Sequence, residues 1–302
     1  MSMQPNKKQE QPSTYFVEDR SSKEEMYRLH LQDQMLTTSM GGALTDQSDP
    51  TIFHRILDVG CGTGDWLIDV AKTYPDISFL IGVDISKKMI EYARTQAEAQ
   101  QVNNRVEFHT MDVLRSLAFP EGYFDLVNQR FGVSYLRTWD WPTILSEYQR
   151  VTHPGGVIRV TEANYILSSS SPALTFLQGL TTEAFYNAGR IFTATSNGLI
   201  SELERLLHQF GLLQVQTRMN VVDYRAGTVE GQDLIEVTKL FYRTSLPFLQ
   251  KWTRIPANYE TIYQQMVKEM QQPDFVVTWE LLTAWGMVPS KDARQSVITP
   301  IA

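Results

Sequence analysis

Cysteine is almost absent from this chain: Cys61 is the single instance among 302 residues. No intrachain disulfide can form, which points to a reducing compartment and a cytoplasmic protein. Long apolar runs are missing as well. None approaches the ~20 residues of a membrane span, and the polar first residues do not read as a signal peptide. Basic residues are few, 27 Lys and Arg against 34 Asp and Glu for a net charge of -7, so no basic footprint marks a nucleic-acid partner. Neither H-x-x-x-H nor paired C-x-x-C spacing offers a metal site. What is left is an acidic chain able to bury on the order of three quarters of its unfolded surface. At this length one domain plus a cap is expected, with a small molecule as partner.

The organising stretch runs from Ile56 to Trp66. An apolar run over Ile52–Val59, interrupted by His54, Arg55 and Asp58, reads as a buried parallel strand. Gly60, Gly62 and Gly64 then allow a sharp turn and a close backbone approach. Trp66, Leu67, Val70 and Ala71 open an amphipathic helix. Strand, glycine turn and helix begin a nucleotide-binding βαβ unit. The dinucleotide fingerprint G-x-G-x-x-G requires a small residue where this chain has Asp65. Asp58 at the strand mouth would repel a pyrophosphate and suit a cationic ligand instead. The segment Leu57-Asp58-Val59-Gly60-Cys61-Gly62-Thr63-Gly64 resembles motif I of the class I methyltransferases that use S-adenosylmethionine (SAM), which carries an ammonium and a sulfonium.

That resemblance implies an α/β, Rossmann-like sheet of seven strands, the last antiparallel, with helices on both faces. The expected plan is a disordered tail over 1–14, a helical lid over 15–50, a SAM-binding core over 51–163, a cap insertion over 164–197, further core over 198–227, a helical cap insertion over 228–272, and a final strand and C-terminus over 273–302. Ser22-Lys23-Glu24-Glu25 is a capping box that starts a helix with Met26, Leu29 and Leu36 on its apolar face. Tyr15, Tyr27, Arg28, His30 and Gln32 are candidate lid residues. Two further strands are expected from Ser78 to Val83 and from Arg105 to His109, the first ending at Asp84. A fourth runs from Phe124 to Gln129. His153-Pro154-Gly155-Gly156 forms the turn before a fifth strand, Val157–Glu162, and is another family hallmark. Ser168–Ser171 reads as a loop, and Leu174 to Tyr186 as one or two helices.

Asp84, about 20 residues beyond the glycine turn, is placed for two ribose hydroxyls. By resemblance, Ile85 and Met89 flank the adenine, and Met111, Asp112 and Val113 hold its amino group through Asp112. Asp58, Gly60, Cys61 and Gly62 complete the cradle, and Asn128, Gln129 and Arg130 face the point of methyl transfer. The segment after the fourth strand lacks the Asp/Asn-Pro-Pro-Tyr/Phe of DNA amino-methyltransferases. Arg130 with Trp139-Asp140-Trp141 resembles secondary-metabolism enzymes, including the fungal regulator type. Aromatic residues in the insertions, Phe176, Phe185, Tyr186, Phe192, Phe241, Tyr242, Trp252, Tyr259 and Tyr263, are expected to roof the cleft, two or three of them touching substrate. A general base is needed only for a protonated nucleophile; His30, Glu162 and Tyr186 are the candidates. The leading expectation is methyl transfer to an O, N or C nucleophile of an apolar or aromatic metabolite, leaving S-adenosylhomocysteine. A SAM-binding regulator without turnover and a dinucleotide-dependent oxidoreductase stay open as alternatives.

Overall fold

The computed structural model describes residues 15–17, 22–164 and 168–290. The expected tail over 1–14, residues 18–21 of the lid and residues 291–302 of the C-terminus lie outside them. The strands are β1 (Arg55–Val59), β2 (Phe79–Asp84), β3 (Val106–Thr110), β4 (Phe124–Arg130), β5 (Thr152–Ala163), β6 (Ser168–Ser169), β7 (Leu213–Arg225) and β8 (Val276–Met287). The helices are α1 (Lys23–Ser39), α2 (Asp65–Thr73), α3 (Lys87–Ala99), α4 (Trp141–Val151), α5 (Pro172–Asn187), α6 (Ile200–Gln209), α7 (Val229–Thr244), α8 (Leu246–Trp252) and α9 (Tyr259–Glu269). The first five strands pair parallel in the order β3-β2-β1-β4-β5. β8 runs antiparallel to β5 on one edge and to β7 on the other. The two-residue β6 pairs with β8 beyond the end of β5, on the edge that β5 occupies. Among the described residues the long strands therefore number seven, with the short β6 beside β8 as an eighth.

Side-chain alternation explains why helices cover both faces. Ile56, Leu80, Phe108 and Leu126 pack with Trp66, Leu67 and Val70 of α2 and Ile90 and Ala93 of α3. Their neighbours Leu57, Ile81, Val83 and Val127 pack instead with Ile144 and Leu145 of α4 and Leu203 and Leu207 of α6. Residues one apart on a strand point to opposite faces, so near-continuous apolar strands need two helical layers.

Four expectations need correction. β1 starts at Arg55 and not at Ile52, because Pro50–Ile52 forms a 3-10 turn closed by the Asp49 carboxylate on the Thr51 amide. The Pro-Gly-Gly turn lies inside β5: opposite β4 the register jumps from Thr152 to Val157, so residues 153–156 bulge out of the ladder. Ser168 and Ser169 are strand, and Ser171 is the N-cap of one continuous helix, α5, accepting from the Leu174 amide at 3.0 Å. In α1 the buried face carries Glu25, Arg28 and Asp33 beside Leu36, whereas Met26 and Leu29 are only half-buried. These charged groups are tolerated because each is paired: Arg28 holds Glu25 through two bonds, at 2.7 and 2.8 Å.

Candidate active site

The carboxyl ends of β1, β2 and β4 and the loop after β3 open into one cavity of about 450 Å³. Its floor is the glycine turn. Gly64, with φ +80, caps α2 in the left-handed region, and a Cβ there would lie 2.6 Å from the Phe108 ring, so only glycine fits. Gly62, with φ +52, has open space where its Cβ would be, leaving bare backbone toward the cavity. Asp58 is 3% exposed and accepts from Asn128 Nδ2 at 2.8 Å. Asn128 in turn accepts from Arg159, which is clamped by Asp46 at 2.7 Å. Burial pushes the Asp58 carboxyl up to about 7, against the opposing pull of Arg130 and Asn128. At the end of β2, Asp84 accepts from the Gly62 amide at 3.2 Å and from the Ser86 amide at 2.7 Å. Ser86 caps α3 and aims Met89 into the cavity beside Ile85. After β3, Asp112 accepts from the Leu114 amide at 3.1 Å and faces Arg115 at 3.3 Å.

The roof comes from three helices distant in sequence. α1 contributes Arg28, Gln32 and Asp33, joined by Tyr15 and Phe16; α5 contributes Leu174, Gln178, Thr181 and Phe185; α7 contributes Leu234, Val237, Phe241 and Tyr242. Tyr15 donates to Glu25 at 2.6 Å, and Thr244 of α7 donates to the same carboxylate at 3.2 Å, tying α1 to α7. Arg130, at the end of β4, pairs with Asp33 from above, and its guanidinium lies 5.6 Å from the Trp66 ring. Burial raises the Asp33 carboxyl as well, although Arg130 opposes the shift.

Of the residues anticipated at the cofactor, Asp58, Gly60, Cys61, Gly62, Asp84, Ile85, Met89, Asp112, Val113 and Arg130 line this cavity. Met111, Asn128 and Gln129 do not. Met111 packs against the core and donates its amide to the Asp84 carbonyl at 2.9 Å. Asn128 and Gln129 are fully buried because β4 lies between two other strands, and Gln129 bonds Tyr148 at 2.6 Å. Tyr15, Arg28 and Gln32 line the roof, whereas Tyr27 is 52% exposed on the outer side of α1. The three candidate bases stand off the cavity. His30 bonds Asp65 at 2.7 Å, an interaction that raises the imidazole pKa. Glu162 is buried in the sheet, and Tyr186 is 47% exposed. Burial, with Asp84 and Asp58 nearby, pushes the Cys61 thiol up and away from the thiolate a nucleophile needs. Three of the nine anticipated aromatic residues, Phe185, Phe241 and Tyr242, reach the lining. Asp33, Gln178 and Leu234 were not anticipated; the i, i+4, i+7, i+11 spacing of Leu174, Gln178, Thr181 and Phe185 is the signal that marks them as one helix face.

Residues 56–156 match a methyltransferase domain. The chain is 34% identical over 110 residues to the demethylmenaquinone methyltransferase of Lactococcus lactis, covering 36% of the chain and 42% of the relative. It is 35% identical over 124 residues to the aklanonic acid methyltransferase DauC of a Streptomyces species, covering 41% of the chain and 54% of the relative. The matches thus span about half the length of these relatives or less. Among solved structures, YcgJ of Bacillus subtilis superposes with a TM-score of 0.50 at 18% identity, covering 87% of this chain and 99% of that one. Phosphoethanolamine N-methyltransferase 2 of Haemonchus contortus, solved with SAM, gives 0.53 at 16% identity, covering 91% of this chain and 60% of that one. At such identities the likeness is one of fold.

Proposed function

We propose that the chain is a SAM-dependent methyltransferase acting on an O, N or C nucleophile of a small apolar or aromatic metabolite. One observation carries the reading: a single cavity has a carboxylate-rich floor of bare backbone and an aromatic, aliphatic roof. The floor fits the donor. Asp58 suits an ammonium beside a sulfonium, and Gly62 leaves room for close approach. The Asp84 carboxylate, held at the end of β2 by the Gly62 and Ser86 amides, lines the cavity where ribose hydroxyls would lie. Asp112 faces the edge of a base held against Ile85 and Met89. SAM supplies an electrophilic methyl group whose leaving group is a neutral thioether.

The chain's own task is then alignment and exclusion of water. Alignment of reacting atoms is worth roughly 7–11 kcal/mol. The helices α1, α5 and α7 close over the floor, and Arg130, joined to Asp33, couples the roof to the strand end. None of His30, Glu162 and Tyr186 is assigned to proton removal. Among the described residues no helix is long and apolar enough to cross a membrane. Calorimetric titration tests the reading. SAM and S-adenosylhomocysteine should bind and NAD should not. Asp84→Ala should weaken SAM at least tenfold without unfolding the protein. Tight NAD binding without SAM binding would sink the proposal, and methyl label from SAM should appear in an added metabolite extract.

A further inference from the structure

Gln178 stands out within the roof. It sits mid-way along the α5 face that lines the cavity, between Leu174 and Phe185, and is 3% exposed. Both polar atoms of its carboxamide, Nε2 and Oε1, are shielded from solvent and have no hydrogen-bond partner among the described residues. Its helical neighbour Thr181 is already engaged, donating to the Leu177 carbonyl at 3.1 Å. A buried amide missing both donor and acceptor contacts is costly, and natural folds retain such groups where something else completes them. The side chain forms part of the cavity wall, where a ligand could complete its amide.

The surroundings define what that ligand can be. The roof's two guanidinium groups are each matched by a carboxylate, Arg28 by Glu25 and Arg130 by Asp33. Among the described residues neither of these guanidinium groups lacks a carboxylate, which disfavours an anionic substrate, and the floor already presents Asp58, Asp84 and Asp112. The walls around Gln178 are aliphatic and aromatic. We infer that Gln178 is the acceptor-recognition residue, reading a hydroxyl or carbonyl on a neutral, otherwise apolar aromatic substrate. The inference rests on the methyltransferase reading, and it narrows the substrate class to uncharged molecules with one polar edge. A site built to hydrogen-bond a polar group rejects the analogue lacking it far more strongly than an apolar pocket rejects a lost methylene.

Matched probes test this on the full chain. The protein is first titrated with S-adenosylhomocysteine, then, saturated with it, with 1-naphthol, naphthalene and 1-naphthoate. The expected order places 1-naphthol at least tenfold tighter than naphthalene, with 1-naphthoate weaker than 1-naphthol by a similar factor. Gln178→Leu should abolish the naphthol preference while leaving S-adenosylhomocysteine affinity within twofold; Gln178→Met should behave alike if the leucine variant fails to fold. Native protein that shows no preference for 1-naphthol overturns the role of Gln178, as does a preference that survives in a folded variant. Failure to bind S-adenosylhomocysteine at the first step refutes the methyltransferase reading itself.

Discussion

At Asp58, burial competes with the guanidinium of Arg130 and the amide of Asn128, and burial prevails, holding the carboxyl near 7. Asp33 and Arg159 also bear on it. An acid whose folded value is raised binds its proton in the native state before the unfolded chain does. Its contribution to stability is therefore present below about pH 4 and is lost as pH rises through 7. Ligand binding has the opposite slope, because a cation prefers the ionised form. SAM affinity should climb by up to tenfold per unit between about pH 5 and 7 and then level off, with proton release visible by calorimetry in buffers of different ionisation enthalpy. Asp58→Asn should flatten the profile; a native profile that is already flat would remove Asp58 from the cation's surroundings. Asp58 and Asp84 were legible in the sequence because strand, turn and helix fix them locally. Asn128 was misplaced for the converse reason: which face of β4 it occupies depends on Asp58 and Arg159, 70 and 31 residues away in the chain.

Among the elements, α1 was legible as a helix but not as a surface. Ser22 caps it through the Glu25 amide, yet its buried face is charged: Glu25 and Arg28 pair within the helix, and Asp33 is matched by Arg130 from β4, far away in the chain. Period counting rewards apolar spacing and so selected Met26 and Leu29, which lie at the margin. The β-bulge at residues 153–156 escaped for a related reason: a turn signature tells that the chain bends, not whether the ladder resumes on the same strand. The charged face of α1 has a measurable consequence. Asp33→Ala leaves Arg130 nearly buried without its carboxylate, and breaking such a pair costs about 3–5 kcal/mol. Urea unfolding should register that loss, and the double variant Asp33→Ala, Arg130→Met should lose less than the two single changes summed. Additive losses would mean that α1 and β4 are not coupled through this pair.

Across the whole molecule, floor and roof belong to different parts of the chain. The floor is built within residues 56–156, the stretch that matches a methyltransferase domain, whereas the roof is assembled from α1, α5 and α7, outside it. A fold fixed by local strand and turn signals is readable in order, but a cavity closed by segments some 200 residues apart depends on how those segments meet. A ligand that fills the cavity has to touch both, so it should tighten both. At one hundred times its dissociation constant, S-adenosylhomocysteine should add about 2.7 kcal/mol of stability, which for a domain of this size is a melting rise of roughly 5 °C. Hydrogen exchange separates the contributions. Amides of α1 from Arg28 to Asp33, which carries lining side chains, should gain protection along with those of the glycine turn. Should the melting point rise while α1 exchanges as fast as before, the helix would be a structural neighbour of the site and not its lid.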